Sequence, residues 1–319
     1  MKLKEIEFPN VCAASGSLNF FGDGWWYHKW YKLLFPGFKK LSDCTFIAKT
    51  TTLNLRKGNM ALKENLQPRK LLPDCIKVYP LKGVVLNAVG LSGPGAEVLF
   101  KKGLWQKINK PFFISFMAVG NTAKERLKEA KKFVDLMRIY LPGFNAPVGI
   151  QVNLSCPNTE HLTSELSQES INILKVFSIL NIPVDLKINT LFSIKLLKEI
   201  EEKKLCDVIT ISNTIPYGTY KYDINWKKLL NSKKSPLLKY GGGGLSGKEI
   251  LPIVINRIKK VRESGITMPI KGSGGIMSER DVELMKFDAG VNGVEFATAA
   301  MIRPWRVKRI ILKAEEIFS

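Results

Sequence analysis

Short apolar runs alternate with longer amphipathic stretches along almost the whole chain. Eight runs are rich in β-branched and aromatic residues and have the length of strands, at residues 11–15, 45–49, 112–116, 148–153, 184–188, 207–212, 268–272 and 293–297. Six stretches carry apolar residues every three to four positions, which predicts helices at residues 122–141, 168–180, 191–204, 248–263, 279–289 and 303–317. This alternation is typical of βαβ units in a parallel sheet.

Eight strands, six helices and two irregular crossovers fit one closed barrel better than a doubly wound sheet. We therefore predict an α/β fold, a single (β/α)8 TIM barrel domain over residues 1–319, with long insertions at the C-terminal face of the strands. The insertions are residues 54–92, which look poor in strands, and residues 213–244. Long loops in compact domains are usually functional, and barrel chemistry lies where the strands end.

The most specific of these strand ends is Q-V-N-L-S-C-P-N-T, residues 151–159. Asn153 and Asn158 can each hold a planar amide or imide edge, because asparagine offers a donor and an acceptor together. Cys156 has the chemistry of a proton-abstracting base beside them. The alternative, of equal weight on these residues alone, is a buried structural cysteine flanked by turn-forming asparagines.

Other strand ends carry cations and amides. Lys49 ends the second strand, and Lys187 lies between apolar neighbours in the fifth, where a buried lysine is costly unless it meets an anion. Either lysine could instead extend to the surface. The sixth strand ends in Ser-Asn-Thr at 212–214, and Asn87 and Gly90 lie in the first insertion.

Glycine-rich turns follow the later strands. They lie at residues 241–247 and 272–275, and Ala297-Thr298 follows the eighth strand just before a helix. Backbone N–H groups at such turns and helix starts can bind a phosphate. One glycine run is weak evidence, but three at these places in a barrel favour a phosphate site over plain turns.

Composition narrows the function classes. Five scattered cysteines and two histidines argue against a disulfide framework, a structural zinc site or a histidine-rich metal centre. Without a long apolar run or a secretory signal, we expect a cytoplasmic protein with no membrane span. The net charge of +21 would suit a polyanion, but lysine and glutamate alternate at helical spacing, which favours a solvated surface.

Taken together, the motifs resemble those of the dihydroorotate dehydrogenase family over nearly the whole chain. Each motif is short, but their order and spacing are specific. They are A-A-S-G (13–16), A-K-T-T-T (48–52), N-A-V-G-L (87–91), N-L-S-C-P-N (153–158), D-L-K-I-N (185–189), S-N-T (212–214), G-G-L-S-G (243–247), G-S-G-G (272–275) and A-T-A (297–299).

The resemblance implies a flavoprotein of pyrimidine biosynthesis. Cys156 matches the catalytic base of the soluble class, which removes the C5 proton of dihydroorotate while hydride passes from C6 to N5 of FMN. The positions that match the substrate pocket are Lys49, Asn87, Gly90, Leu91, Asn153, Asn158, Asn213 and Thr214. The positions that match FMN contacts are Ser15, Lys49, Thr50, Asn153, Lys187, Ser212, Gly243, Gly244, Gly274, Gly275, Ala297 and Thr298.

Three features depart from the family pattern. Ala297 stands where relatives often have glycine, residues 159–167 lack the usual glycine-rich loop, and residues 20–38 are unusually aromatic. We interpret that aromatic stretch as core or as a partner surface rather than as a membrane contact. No metal site is expected, and orotate and dihydroorotate are the expected small-molecule ligands.

Two alternatives remain open from the sequence: a tRNA-modifying dihydrouridine synthase, and a non-catalytic phosphate-binding barrel. The charge of +21 suits tRNA, but the chain ends about where the barrel does, so we expect no nucleic-acid partner. Fumarate as electron acceptor would suit a homodimer, whereas NAD would imply an iron–sulfur flavoprotein partner subunit. The N-A-V-G-L and G-G-L-S-G stretches look somewhat more like the NAD-linked type.

Overall fold

The computed structural model describes residues 1–154 and 164–319, with side chains from residue 168 onward in the second range. The strands are β1 Lys2–Leu3, β2 Ile6–Glu7, β3 Val11–Ala13, β4 Thr45–Phe46, β5 Ile76–Tyr79, β6 Val84–Asn87, β7 Phe112–Phe116, β8 Val148–Asn153, β9 Val184–Ile188, β10 Val208–Ile211, β11 Ile215–Pro216, β12 Gly244–Gly247, β13 Ile270–Ser273 and β14 Gly293–Phe296. The helices are α1 His28–Leu34, α2 Ala96–Lys101, α3 Ala123–Tyr140, α4 Ser164–Ser178, α5 Ile194–Glu202, α6 Trp226–Leu230, α7 Leu251–Glu263, α8 Glu279–Glu283, α9 Thr298–Ile302 and α10 Val307–Phe318.

Eight strands form one parallel sheet in the order β4-β3-β14-β13-β10-β9-β8-β7. The two edges of that sheet meet, because parallel bridges join Ile47 to Phe113 and Thr51 to Phe116. This closure confirms the predicted (β/α)8 barrel, and each of the eight predicted strands is present. A closed barrel brings the carboxyl ends of all its strands to one face.

Helices cover the outside of the barrel and explain why its strands are apolar on both faces. In α3, Phe133 and Met137 are fully buried, and the helix begins with a capping box between Thr122 and Glu125. The six predicted helices are all present. The last part of the predicted helix 279–289 winds as a π-helix over Leu284–Asp288.

The prediction that residues 54–92 are poor in strands was wrong. Strands β5 and β6 form an antiparallel hairpin there, and β12 from the second insertion pairs with β6, giving the sheet order β11-β12-β6-β5. The hairpin turns through Pro80–Lys82 and Gly83, whose φ is +69°. The strand signal of this segment is short and interrupted by proline, and its main partner lies far away in sequence.

The aromatic segment 20–38 packs in part into the core, which is one of the two roles expected of it. Phe20 and Phe38 are buried, and the indole of Trp105 donates a hydrogen bond of 2.7 Å to the carbonyl of Phe20. Tyr31 Oη donates to the carbonyl of Met301 at 2.8 Å, which ties α1 to α9. Trp30 is the exception, being 58% exposed. Within the described ranges, no helix is both long and apolar enough to cross a bilayer.

Candidate active site at the carboxyl ends of the barrel strands

A cavity of about 650 Å³ opens where the barrel strands end. Its lining includes nearly all the described residues that the sequence singled out, namely Ser15, Lys49, Thr50, Asn87, Gly90, Leu91, Asn153, Lys187, Ser212, Asn213, Thr214, Gly274, Gly275, Ala297 and Thr298. The insertion sheet roofs the cavity, since Val85 of β6 and Ser246 of β12 also line it. The volume is in the range of sites that bind cofactors and drug-sized ligands.

Hydroxyl groups at the first strand ends form a connected ladder. Ser15 Oγ lies 2.9 Å from the carbonyl of Ala48 and 2.9 Å from Thr50 Oγ1, and the Thr50 amide donates back to Ser15 Oγ at 2.9 Å. Thr50 Oγ1 also lies 2.9 Å from Ser115 Oγ. These bonds fix the loops after β3 and β4 against β7, so their backbone can contact a ligand in a defined position.

Lys49 places a cation inside the cavity. Its side chain is buried, its Nζ donates to the carbonyl of Ser92 at 2.6 Å, and the ammonium lies 4.9 Å from the centre of the Phe20 ring. Burial lowers the pKa of Lys49 to about 8. Among the described residues, no carboxylate forms an ion pair with it. A buried cation in this situation favours binding of an anionic ligand.

The first insertion holds the N-A-V-G-L segment at the cavity wall. Asn59 Nδ2 donates to the carbonyl of Ala88 at 2.7 Å, and Arg56 Nε donates to the carbonyl of Gly90 at 3.0 Å. Gly90 has a φ of +70°, a conformation that glycine adopts without strain. The insertion therefore holds Asn87 at the cavity wall, and its Ser92 carbonyl accepts the hydrogen bond from Lys49.

The loop after β10 is fixed by the barrel. The Ser212 amide donates to the carbonyl of Ser273 at 2.7 Å, and the Asn213 amide donates to the carbonyl of Ile188 at 3.1 Å. The amide of Thr214 donates to Asn213 Oδ1 at 2.8 Å. These contacts bring Asn213 and Thr214 to the same cavity as Asn87, as their motifs led us to expect.

The glycine turn after β13 packs closely against the start of helix α7. Gly274 and Gly275 have φ of +120° and +85°. A Cβ atom on Gly275 would lie 2.5 Å from Leu251 Cβ, and one on Gly274 would lie 2.8 Å from Ile250 Cδ1. Side chains would therefore displace the start of α7 from the cavity wall. The two glycines therefore let the turn pack directly against the start of α7 while it lines the cavity.

Gly243 and Gly244 are placed differently from the other predicted residues. They are not in the cavity lining, and Gly244 pairs with Asn87 across the insertion sheet. A Cβ on Gly244 would lie 2.3 Å from Thr214 Oγ1, and one on Gly243 would lie 3.0 Å from the carbonyl oxygen of Asn87. In this structure the two glycines allow Asn87 and Thr214 to pack closely, and their direct contact with a cofactor stays a prediction.

Sequence reasoning missed an acidic residue of the site. Glu295 of β14 is fully buried, lines the cavity and forms an ion pair with Lys187. The sequence does contain a signal for this residue, because Glu295 lies within the apolar strand G-V-E-F just as Lys187 lies within V-D-L-K-I. A buried carboxylate such as Glu295 requires a partner for the same reason that a buried lysine does.

The outer part of the cavity is apolar, which the sequence did not predict. The aromatic residues Trp25, Trp26 and Tyr31 line it, as do Leu71 and Leu72. The indole of Trp25 donates to the carbonyl of Gly16 at 2.8 Å, so the aromatic segment is anchored to the A-A-S-G strand end. The two leucines are 63% and 82% exposed at the mouth.

Ser155, Cys156 and Asn158, which follow β8, lie outside the described residues. Asn153, the last residue of β8, is described and is buried at the cavity wall. In the part of the chain that the structure describes, no group of three or more His, Cys, Asp or Glu side chains is arranged to hold a metal ion.

Comparison with known proteins gives a consistent family. Three similar proteins are each named dihydroorotate dehydrogenase B (NAD(+)), catalytic subunit. The one from Caldicellulosiruptor saccharolyticus is 30% identical over 310 residues, covering 94% of this chain and 87% of that protein. Those from Anoxybacillus flavithermus and Bacillus cereus are 29% and 27% identical, covering 94% and 98% of this chain and 84% and 90% of theirs. A family model described as dihydroorotate dehydrogenase matches residues 1–318, and the chain therefore belongs to the dihydroorotate dehydrogenase family of oxidoreductases.

Proposed function

We propose that this chain oxidises dihydroorotate to orotate with bound FMN, as one FMN-binding barrel domain over residues 1–319. The observation that carries the proposal is the buried Lys49 ammonium, which faces a strand-end cavity and has no carboxylate partner among the described residues. Dihydroorotate is a small anion with amide and imide edges. The cavity offers a cation for its carboxylate and asparagine side chains for its ring.

The cavity also fits a flavin mononucleotide. Its volume accommodates a ligand of that size, and the turn at Gly274 and Gly275 lines it, where backbone amides would bind the phosphate. Ser15, Thr50, Ser212 and Thr298 line the same cavity and supply hydroxyl groups. When bound, FMN accepts the hydride that leaves C6 of the substrate.

The residues of the chain would bind and orient the substrate. Lys49 attracts the carboxylate, and Asn87, Asn153 and Asn213 pair with the ring through donor and acceptor atoms together. The insertion sheet covers the cavity and limits the access of water. Holding the reacting atoms in a fixed geometry supplies a large part of the rate enhancement in such reactions.

The proton at C5 requires a base. By resemblance we assign that role to Cys156, with Asn158 completing the substrate pocket. In the sequence both residues follow within five positions of Asn153, the last residue of β8. The assignment is supported by position, because Asn153 at the end of β8 lines the cavity. A thiolate is an effective base near neutral pH where its pKa is matched to the medium.

We further propose that the chain is a catalytic subunit that passes electrons to NAD through an iron–sulfur flavoprotein partner in the cytoplasm. The similar proteins carry the printed name of an NAD-linked catalytic subunit. Leu71 and Leu72 line the cavity and are exposed, as expected of a surface that a partner covers. A homodimer of this chain would form the core of such an assembly.

The test begins with the purified chain. It should be yellow and should release FMN, rather than FAD, on denaturation. Dihydroorotate should reduce the flavin under anaerobic conditions, and NAD should reoxidise it only when the partner subunit is present. A colourless protein that does not take up added FMN would contradict the flavin proposal. Reoxidation by fumarate without a partner would contradict the NAD-linked assignment, and salt-resistant tRNA binding with dihydrouridine formation would favour the alternative enzyme.

A further inference from the structure

Two ion pairs are buried side by side inside the barrel. Lys187 of β9 pairs with Glu295 of β14, and Lys271 Nζ of β13 lies 2.6 Å from Asp185 Oδ2 and 3.8 Å from Glu295 Oε2. Each of the four residues is 5% exposed or less. Two positive and two negative groups leave this set, which we call the barrel tetrad, without net formal charge.

Hydrogen bonds fix both carboxylates of the tetrad. Gln151 Nε2 donates to Asp185 Oδ2 at 2.7 Å and to Glu295 Oε2 at 3.1 Å, so it bridges the two. Thr210 Oγ1 donates to both carboxylate oxygens of Asp185, at 2.8 and 3.0 Å. The tetrad is therefore a connected network with a defined geometry, and not a set of side chains that happen to lie close.

Glu295 and Lys271, which link the two ion pairs, are both ionised at neutral pH. Burial would raise the pKa of Glu295, but the neighbouring Lys187 and Lys271 and the hydrogen bond from Gln151 outweigh burial and hold it below its usual value. Burial would lower the pKa of Lys271, but Asp185 and Glu295 reverse that effect and raise it.

The two halves of the tetrad differ in position. Lys187 and Glu295 line the cavity, whereas Asp185 and Lys271 do not. Buried ion pairs seldom stabilise a fold more than apolar residues of the same volume would. Stability therefore does not explain why a carboxylate stands beside Lys187, a lysine that the family pattern assigns to the flavin.

We propose that Glu295 is a positioning residue for Lys187 and that it offsets the charge of Lys187 toward the bound cofactor. This inference rests on the proposed function, in which FMN occupies the cavity. Charges in a buried site act strongly over several ångströms. An unopposed Lys187 would favour the anionic, reduced cofactor and make it slow to give up its electrons. Glu295 weakens that preference, so that the cofactor can be reduced by the substrate and then reoxidised.

The test measures the midpoint potential of bound FMN by anaerobic titration against reference dyes, on holoprotein. Glu295→Gln should raise the preference for reduced over oxidised FMN by about tenfold or more, which is ~30 mV for a two-electron couple. Lys187→Met should shift the preference in the opposite direction. The double variant Lys187→Met/Glu295→Gln removes one charge of each sign and should return to within about threefold of wild type.

Asp185→Asn is the matched control, because it removes a carboxylate from the same tetrad but from outside the cavity lining. It should destabilise the protein as Glu295→Gln does, yet leave the potential within about threefold of wild type. If Glu295→Gln fails to fold, the double variant should still exceed Lys187→Met by about tenfold or more in its preference for reduced FMN. An unchanged potential in Glu295→Gln, equal shifts in Glu295→Gln and Asp185→Asn, or a double variant that behaves like Lys187→Met would overturn the proposal. Failure of the wild-type protein to bind FMN would overturn the proposed function as well.

Discussion

Replacing Lys49 by methionine should weaken substrate binding and stabilise the fold at the same time. The side chain is buried, and burial lowers its pKa from 10.5 to about 8. One pKa unit corresponds to about 1.4 kcal/mol, so keeping this lysine charged at pH 7 costs the folded state about 3 kcal/mol. Methionine has a similar length and no charge. The substitution removes this cost, but it stabilises the fold by about 1 kcal/mol less than that, because the Ser92 carbonyl loses its hydrogen bond.

We therefore expect Lys49→Met to increase the free energy of unfolding of the apoprotein by about 2 kcal/mol at pH 7. Urea denaturation followed by tryptophan fluorescence measures this change. Because the folded-state pKa is the lower one, the unfolded chain binds more protons between pH 8 and 10.5. The wild-type protein should therefore gain stability from this group as pH rises through that window, and Lys49→Met should lack that gain.

Substrate affinity should change in the opposite direction. A charge-assisted hydrogen bond to a carboxylate contributes about 1.5–3 kcal/mol, so the variant should bind orotate about 10- to 150-fold more weakly. In the wild type, affinity should be highest below pH 8 and should fall up to about tenfold per pH unit above it, as Lys49 loses its proton. Calorimetric titration with orotate across pH measures both effects.

The control is Lys57→Met, which makes the same change of charge at an exposed lysine of the first insertion. It should alter neither orotate affinity nor its pH dependence. If Lys49→Met binds orotate as tightly as Lys57→Met does, Lys49 does not hold the substrate carboxylate, and the cavity would then have to be assigned to a different ligand.

Two further predictions concern the base and the phosphate turn. Cys156→Ala should retain FMN but slow flavin reduction by dihydroorotate by about two to four orders of magnitude, the usual contribution of a general base; stopped-flow reduction at the wild-type rate would exclude Cys156 from that role. Gly275→Ala should lower FMN affinity by about tenfold or more, because its Cβ would lie 2.5 Å from Leu251 Cβ. Gly265→Ala is its matched control, since Gly265 also has positive φ, at +93°, but its Cβ would meet no atom within 4 Å; equal FMN affinity in the two variants would contradict the proposed role of the turn.

Much of the fold could be predicted from the sequence because its signals are local. A buried parallel strand is a short run of β-branched residues, and a covering helix repeats its apolar residues every three to four positions. Eight runs such as 112–116 and 148–153 therefore indicated a barrel, and a barrel brings its strand ends together. That topological rule, rather than any contact visible in the sequence, predicted that Lys49, Asn153 and Gly275 share one cavity.

The sequence failed where a residue's role depends on a partner that is distant along the chain. Strand β6 pairs with β12, and Val85 and Ser246 stand opposite each other across more than a hundred residues, so a local pattern could not reveal the roof of the cavity. For Gly243 and Gly244, whose contact with a cofactor stays a prediction, the insertion sheet adds close packing against Asn87 and Thr214 that the sequence did not indicate. A glycine run has the same composition in either setting.

The charges of the barrel show the same division. Lys187 was recognised from the sequence because a lysine inside an apolar strand requires a partner. The sequence could not show which partner it has. Glu295 of β14 reaches Lys187 of β9 only inside the closed barrel, where the two strands are separated by β13 and β10. The sequence by itself thus determined the barrel strands, the family motifs and the presence of a buried lysine. Only the tertiary structure decided which charges are paired. Lys187 pairs with Glu295, whereas Lys49 has no carboxylate partner among the described residues. The reason is that electrostatic pairing depends on distance in space and not along the chain.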